Sequence, residues 1–157
     1  MTEALLWHSV QHWSNLSITP LEDFAMFQPR SLEHAGFDPD ELGSAALTAF
    51  FNITSAWQLG AEEERVLLGS PPRSTFFKWK SERSARLSPD TLERISYVMG
   101  IYKALHILLP TQEMADGWVK KPNRAHGFGG KSALEKMLAG RVVDLADVRR
   151  YLDAQRG

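Results

Sequence analysis

The side chains of this sequence best placed to act on another molecule fall in two basic clusters, residues 73–86 and 120–131. The first holds Arg73, Lys78, Lys80, Arg83 and Arg86 against one acid, Glu82. Arginine, serine and threonine can read or position DNA, and lysine is a good phosphate partner. Arg73, Ser74, Thr75 and Lys78 are therefore candidates to face base edges, and Lys80, Arg83 and Arg86 to meet phosphates. The second cluster holds Lys120, Lys121, Asn123 and Arg124, then the tip His126-Gly127-Phe128. Pro122 stiffens this loop and three glycines allow a sharp return. Near the C-terminus, Arg149, Arg150, Gln155 and Arg156 add donors, and the arginine fork can hold a carboxylate with two hydrogen bonds. Phe128 has two uses open to it, as a plug inside the loop or as an anchor facing a partner. The chemistry of both clusters is recognition; neither makes or breaks a bond.

Patterns that would support catalysis or metal binding do not assemble. His8 and His12 have a zinc-compatible spacing, but the neighbouring Trp7 and Trp13 speak for packing and no further ligands stand close by. Asp38, Asp40 and Glu41 imitate a catalytic acid group, yet Pro39 places them in a capping turn. The stretch Gly127 to Ser132 echoes a phosphate loop without its full spacing or a preceding strand. The chain has no cysteine, which removes disulfides, thiolate metal sites and thiol nucleophiles together. No catalytic residue, metal or cofactor is expected. An enzyme would have to draw on Lys120, His126 or Asp144.

The elements that must position these residues read as helices throughout, so the fold is expected to be all-α. Residues 3–15 place Leu6, Val10 and Trp13 on one face. An arm with Phe24, Phe27 and Phe37, punctuated by prolines and glycines, continues to residue 43. A helix over 44–57 turns Leu47, Phe50, Phe51, Ile53 and Trp57 inward. The next, 61–68, carries Glu62, Glu63 and Glu64 in its first turn, where carboxylates suit the dipole, and ends at Gly69. Ser70, Pro71 and Pro72 read as a cap and first-turn prolines for a helix to about Lys80, anchored by Phe76 and Trp79. The pair has the lengths of a helix-turn-helix, whose second helix enters the major groove. Ser88-Pro89-Asp90 opens the longest helix, to about Leu109, with an apolar stripe from Leu92 through Ile95, Tyr102 and Leu105. Residues 111–118 form one more. Ser132 and Glu135 make a capping box, Gly140 ends that helix, and Asp144 opens the last, with Leu145, Val148 and Leu152 on one face.

The 157 residues, 43% of them hydrophobic and 24% charged, suit one ordinary domain or two small ones. No apolar run approaches membrane-spanning length, and no basic region followed by an apolar stretch opens the chain, so cytoplasmic residence is expected. The net charge of -1 conceals a gradient. Residues 1–70 carry 2 basic and 10 acidic side chains, residues 71–117 carry 7 and 5, and residues 118–157 carry 9 and 4. Such asymmetry favours an anionic partner for the later blocks, or self-association of opposite surfaces.

The segment from Trp118 onward resembles the toxin-binding domain of the Xre/MbcA/ParS antitoxin family. The matching residues are Trp118, Lys121-Pro122-Asn123, Gly129-Gly130, Ser132-Ala133-Leu134, Leu138-Ala139-Gly140 and Asp147-Val148-Arg149 through Tyr151-Leu152-Asp153-Ala154. Upstream, Leu67-Leu68-Gly69, Arg73-Ser74-Thr75, Trp79 and Leu92-Glu93-Arg94-Ile95 resemble the family's Xre-like helix-turn-helix. The resemblance covers about residues 44–157 and implies a helix-turn-helix domain (44–110) and a toxin-binding module (111–157), after the aromatic arm (1–43) read from its residues. It further implies an antitoxin that inhibits an NAD-consuming RES-domain toxin encoded by an adjacent gene and binds operator DNA to repress its own operon. A homodimer is expected from repressor geometry, in which two recognition helices read half-sites about one turn apart. The alternative is an ordinary helix-turn-helix regulator with a C-terminal protein-interaction domain.

Overall fold

The computed structural model describes residues 38–157, which form seven α-helices. The expectations for residues 3–15, the aromatic arm and the His8–His12 pair lie outside the described residues. Helix α1 (Pro39–Ala56) begins five residues before the position expected from the sequence. Asp38 is its cap, accepting a hydrogen bond from the Asp40 N–H at 3.0 Å, and Pro39 occupies the first turn, where no donor is lost. Gly43, which looked like a boundary, sits inside the helix. A Cβ there would stand 1.8 Å from the Ala85 carbonyl oxygen, so glycine lets the connector between two later helices cross directly over α1.

Helices α2 (Ala61–Leu67) and α3 (Arg73–Glu82) follow. Glu63 reaches back to accept the Gly60 N–H at 2.7 Å. The turn between them departs from the expected cap: Ser70 is left-handed (φ 57°), and Pro72 stands at the start of α3 without a side-chain cap. Gly69 and Ser70 both have positive φ, and Ser70 lies two residues before the N-cap position that Pro72 occupies.

Helix α4 (Pro89–Leu108) is the axis of the molecule. Ser88 caps it, accepting from the Thr91 N–H at 3.2 Å. Ile95, Val98, Met99, Ile101, Tyr102, Ala104 and Leu105 are all buried, so its apolar surface is much wider than one stripe. The reason is position: α4 packs against α1 on one side and against the final helix on the other. Leu47, Phe50 and Ile53 of α1, and Trp57 at its C-terminal cap, are 2% exposed or less, and Trp57 lies 6.2 Å from the Tyr102 ring.

Helix α5 (Gln112–Trp118) is capped by Thr111, and α6 (Ala133–Met137) carries the expected capping box, Ser132 with Glu135. Gly140 has φ +90° after α6. Helix α7 (Val142–Arg156) then packs Leu145, Val148 and Leu152 inward. Its start differs from expectation. Arg141 occupies the capping position, and Asp144 lies in the first turn, 2% exposed, holding the Arg141 guanidinium at 2.9–3.0 Å. Across α7 and α4, a Cβ on Gly100 would fall 1.6 Å from Arg149 Nη1, so the missing side chain is the groove in which Arg149 lies.

Candidate functional site

Two surfaces gather the candidate residues. The first is the outward face of α3. Phe76 is buried against Phe51, with ring centroids 5.9 Å apart, and Trp79 is partly buried, which fixes the rotation of the helix. Arg73, Ser74 and Lys78 are exposed and share the solvent side, while Thr75 is half-buried. Arg73 pairs with Glu62 of α2, and Glu62 also accepts from Arg65 Nε at 3.1 Å.

Lys80 and Arg83, expected at phosphates, are used within the fold. Lys80 Nζ donates to Glu64, a carboxylate only 3% exposed that also accepts from the Thr54 hydroxyl at 2.8 Å. A buried carboxylate without a cation would be strongly disfavoured, so α3 closes onto α2 through this pair. Arg83 ends α3 in a left-handed conformation (φ 53°), lies 4.6 Å above the Phe51 ring and donates to the Lys80 carbonyl at 2.8 Å. Burial lowers its pKa, and the neighbouring Glu64 opposes that effect. Arg86 remains exposed on the connector.

The second surface is the loop between α5 and α6. Asn123 organises it: its N–H donates to the Lys131 carbonyl at 3.1 Å, its carbonyl accepts from the Gly130 N–H at 3.0 Å, and its Oδ1 accepts from the Ala125 N–H at 2.8 Å. Pro122 and Ser132 pair across the base in antiparallel fashion. Gly127, Gly129 and Gly130, at φ 92°, 59° and 82°, turn the chain back, and Lys136 Nζ donates to the Gly127 carbonyl at 3.1 Å. Phe128 points inward. It is 5% exposed, 4.9 Å from the Tyr151 ring and 6.3 Å from Trp118, and thus fills the loop as a plug instead of facing outward.

What the loop exposes is positive charge. Lys121, Arg124 and Lys131 are exposed and have no ion pair among the described residues. Lys120 is also exposed but donates to the Gln58 carbonyl at 3.0 Å, tying the loop to the end of α1. The arginines of α7 are more occupied. Arg149 holds Asp153 at 2.8 Å while crossing Gly100, Arg150 pairs with Asp147, and Arg156 lies 3.7 Å from Asp153. Gln155 is exposed. Asp147, held by Arg150 and then by Lys136, has its pKa lowered.

Beside Lys120, an open hollow of about 540 Å³ lies between the end of α1 and α5, lined by Trp57, Gln112, Glu113 and Asp116 among others. Asp116 stands 3.4 Å from His106 Nε2, joining α5 to the end of α4. Burial, followed by the negative charge of Asp116, raises the Tyr102 hydroxyl pKa. No group of three or more metal-ligating side chains comes together among the described residues.

Two family models match the chain. Residues 33–100 match the antitoxin Xre-like helix-turn-helix domain, and residues 104–157 match the antitoxin Xre/MbcA/ParS C-terminal toxin-binding domain. The chain belongs to the Xre/MbcA/ParS antitoxin family. It is also 54% identical, over 113 residues, to uncharacterized protein y4oB of Sinorhizobium fredii (strain NBRC 101917 / NGR234), an alignment covering 72% of this chain and 85% of that relative. The antitoxin's all-helical architecture, a helix-turn-helix followed by a C-terminal helical module, is the one the sequence led us to expect. The two matched spans meet inside α4, so one helix serves both halves. No described helix of the antitoxin is long and apolar enough to cross a membrane.

One exposed residue on the first surface escaped the sequence reading. Phe77 is 46% exposed on the outward face of α3, with the Arg73 guanidinium 5.8 Å from its ring centroid. The signal was the doublet Phe76-Phe77. Adjacent helical residues point about 100° apart, and α3 buries only a narrow face, so Phe76 enters the core and Phe77 does not, whereas α1 buries both Phe50 and Phe51.

Proposed function

We propose that the antitoxin neutralises a RES-domain toxin, an NAD-consuming enzyme, by covering the mouth of its active site. The loop 120–131 is the leading contact and the end of α7 flanks it. The observation that carries this reading is the loop's construction. Backbone hydrogen bonds through Asn123 and the buried Phe128 ring fix its shape, leaving Lys121, Arg124 and Lys131 exposed and without an ion pair among the described residues, available to carboxylates on the partner. A preformed loop loses little conformational freedom on docking, which favours tight steric inhibition without chemistry of its own. Arg149, Arg150 and Arg156 enter as secondary contacts, because each already has an aspartate nearby.

The same chain represses its operon through α3, with Arg73, Ser74 and Lys78 on the DNA side. Two copies act together, since half-sites read by paired recognition helices lie about one helical turn apart. The test is co-expression with the product of the adjacent gene. Wild-type antitoxin restores growth and co-purifies with the toxin, whereas Lys121→Glu with Arg124→Glu, still helical by circular dichroism, does neither. Full protection by that double variant would place the inhibitory surface elsewhere.

A further inference from the structure

The exposed ring of Phe77 is the one large apolar group on the outward face of α3, and its surroundings are polar and basic. Ser74 and Lys78 are exposed beside it, and Arg73, one helical turn before it, holds its guanidinium 5.8 Å from the ring centroid. Half-exposure of the ring leaves apolar surface in water that a partner could cover. Here Phe76 already occupies the inward direction. An anchor for a protein partner would sit in an apolar setting rimmed by polar groups. This ring instead sits in a collar of cations and hydroxyls, which matches a groove of phosphates and base edges.

From this placement, and resting on the proposed DNA binding by α3, we infer that Phe77 reads a thymine. Its ring packs on the C5-methyl group in the major groove, while Arg73 donates to the O6 and N7 acceptors of the guanine in the neighbouring base pair. Glu62 is a positioning residue. It holds one side of the Arg73 guanidinium, and the same carboxylate is fixed by Arg65 at 3.1 Å, so the fork is presented in one direction. The antitoxin therefore prefers half-sites in which a thymine adjoins a guanine.

The test uses the full chain and a randomised duplex pool, from which bound sequences are selected. The selected duplex is then remade with deoxyuridine in place of each thymine in turn, which deletes a methyl group and leaves the protein untouched. One such position, beside a guanine, should weaken wild-type binding about fourfold. Phe77→Ala should bind the thymine and deoxyuridine duplexes equally, and Arg73→Ala should lose about tenfold or more of the preference for the adjacent guanine. A selected duplex indifferent to every deoxyuridine, or a Phe77→Ala variant that still discriminates, overturns the inference. So does a Phe77→Ala variant whose solution mass falls while its thymine preference persists, since the ring would then serve contact between copies. Failure to enrich any duplex overturns the DNA-binding reading itself, and this inference with it.

Discussion

The helix-turn-helix half and the loop of the C-terminal half are both rich in cations and use them in opposite ways. Around α2 and α3 the charges nearest the core build the fold: Lys80 neutralises the buried Glu64 and Arg83 lies on Phe51. In the loop 120–131 the shape comes from backbone hydrogen bonds and a buried ring, and Lys121, Arg124 and Lys131 have no ion pair among the described residues. The difference teaches that a count of basic residues says little about a binding surface until each charge's partner is known.

The largest expected effect tests this contrast directly. Lys80→Ala removes the one ion-pair partner that the buried Glu64 has among the described residues, leaving the Thr54 hydroxyl and the more distant charge of Arg83, and should cost about 2–3 kcal/mol in denaturant unfolding. Lys121→Ala and Arg124→Ala should each stay within about 0.5 kcal/mol of wild type, while together weakening toxin binding about tenfold or more in a titration. Equal stability losses in both regions would erase the distinction.

A smaller effect concerns the helix shared by the two halves. Gly100→Ala must displace Arg149 from its groove and should destabilise by about 1 kcal/mol. In an Arg149→Ala background the clash is gone, and the better helix propensity of alanine should make the same change neutral or stabilising by up to about 1 kcal/mol. A thermal-melt cycle showing the same sign in both backgrounds would mean that Arg149 does not occupy that groove.

The smallest effect is read as pH dependence. The Ser132 backbone N–H, then its hydroxyl, holds the Glu135 carboxyl below its ordinary value. A carboxylate depressed in the folded state contributes stability above its unfolded pKa and loses it as pH falls through the folded value. Glu135→Gln should therefore be less stable than wild type at neutral pH, with the gap narrowing below about pH 4.3 and closing once the depressed pKa is passed. A gap constant with pH would remove the capping box from the account.

Much of the fold was legible because helix starts are written locally. Ser88-Pro89, Thr111 and the Ser132–Glu135 pair each act within three residues, and each caps its helix. What the sequence hid depends on distant partners. Gly43 resembles a boundary unless Ala85 is known to lie against it, and Lys80 resembles a phosphate ligand until Glu64, sixteen residues earlier, is seen beneath it. Asp144 has the type of a cap, but an aspartate in the first turn suits the helix dipole equally well, and its burial with Arg141 decides between them. For the surfaces, residue types pointed to recognition, while the division of labour among the cations required three dimensions.

The shared α4 has a consequence for how this molecule can be lost. A peptide cut midway along that rod would strip an oily flank from each remnant, exposing side chains that α1 and α7 now cover. If α3 holds DNA and the C-terminal loop holds the toxin as proposed, both would then be lost in one event, and a single protease would suffice to release them at the same moment.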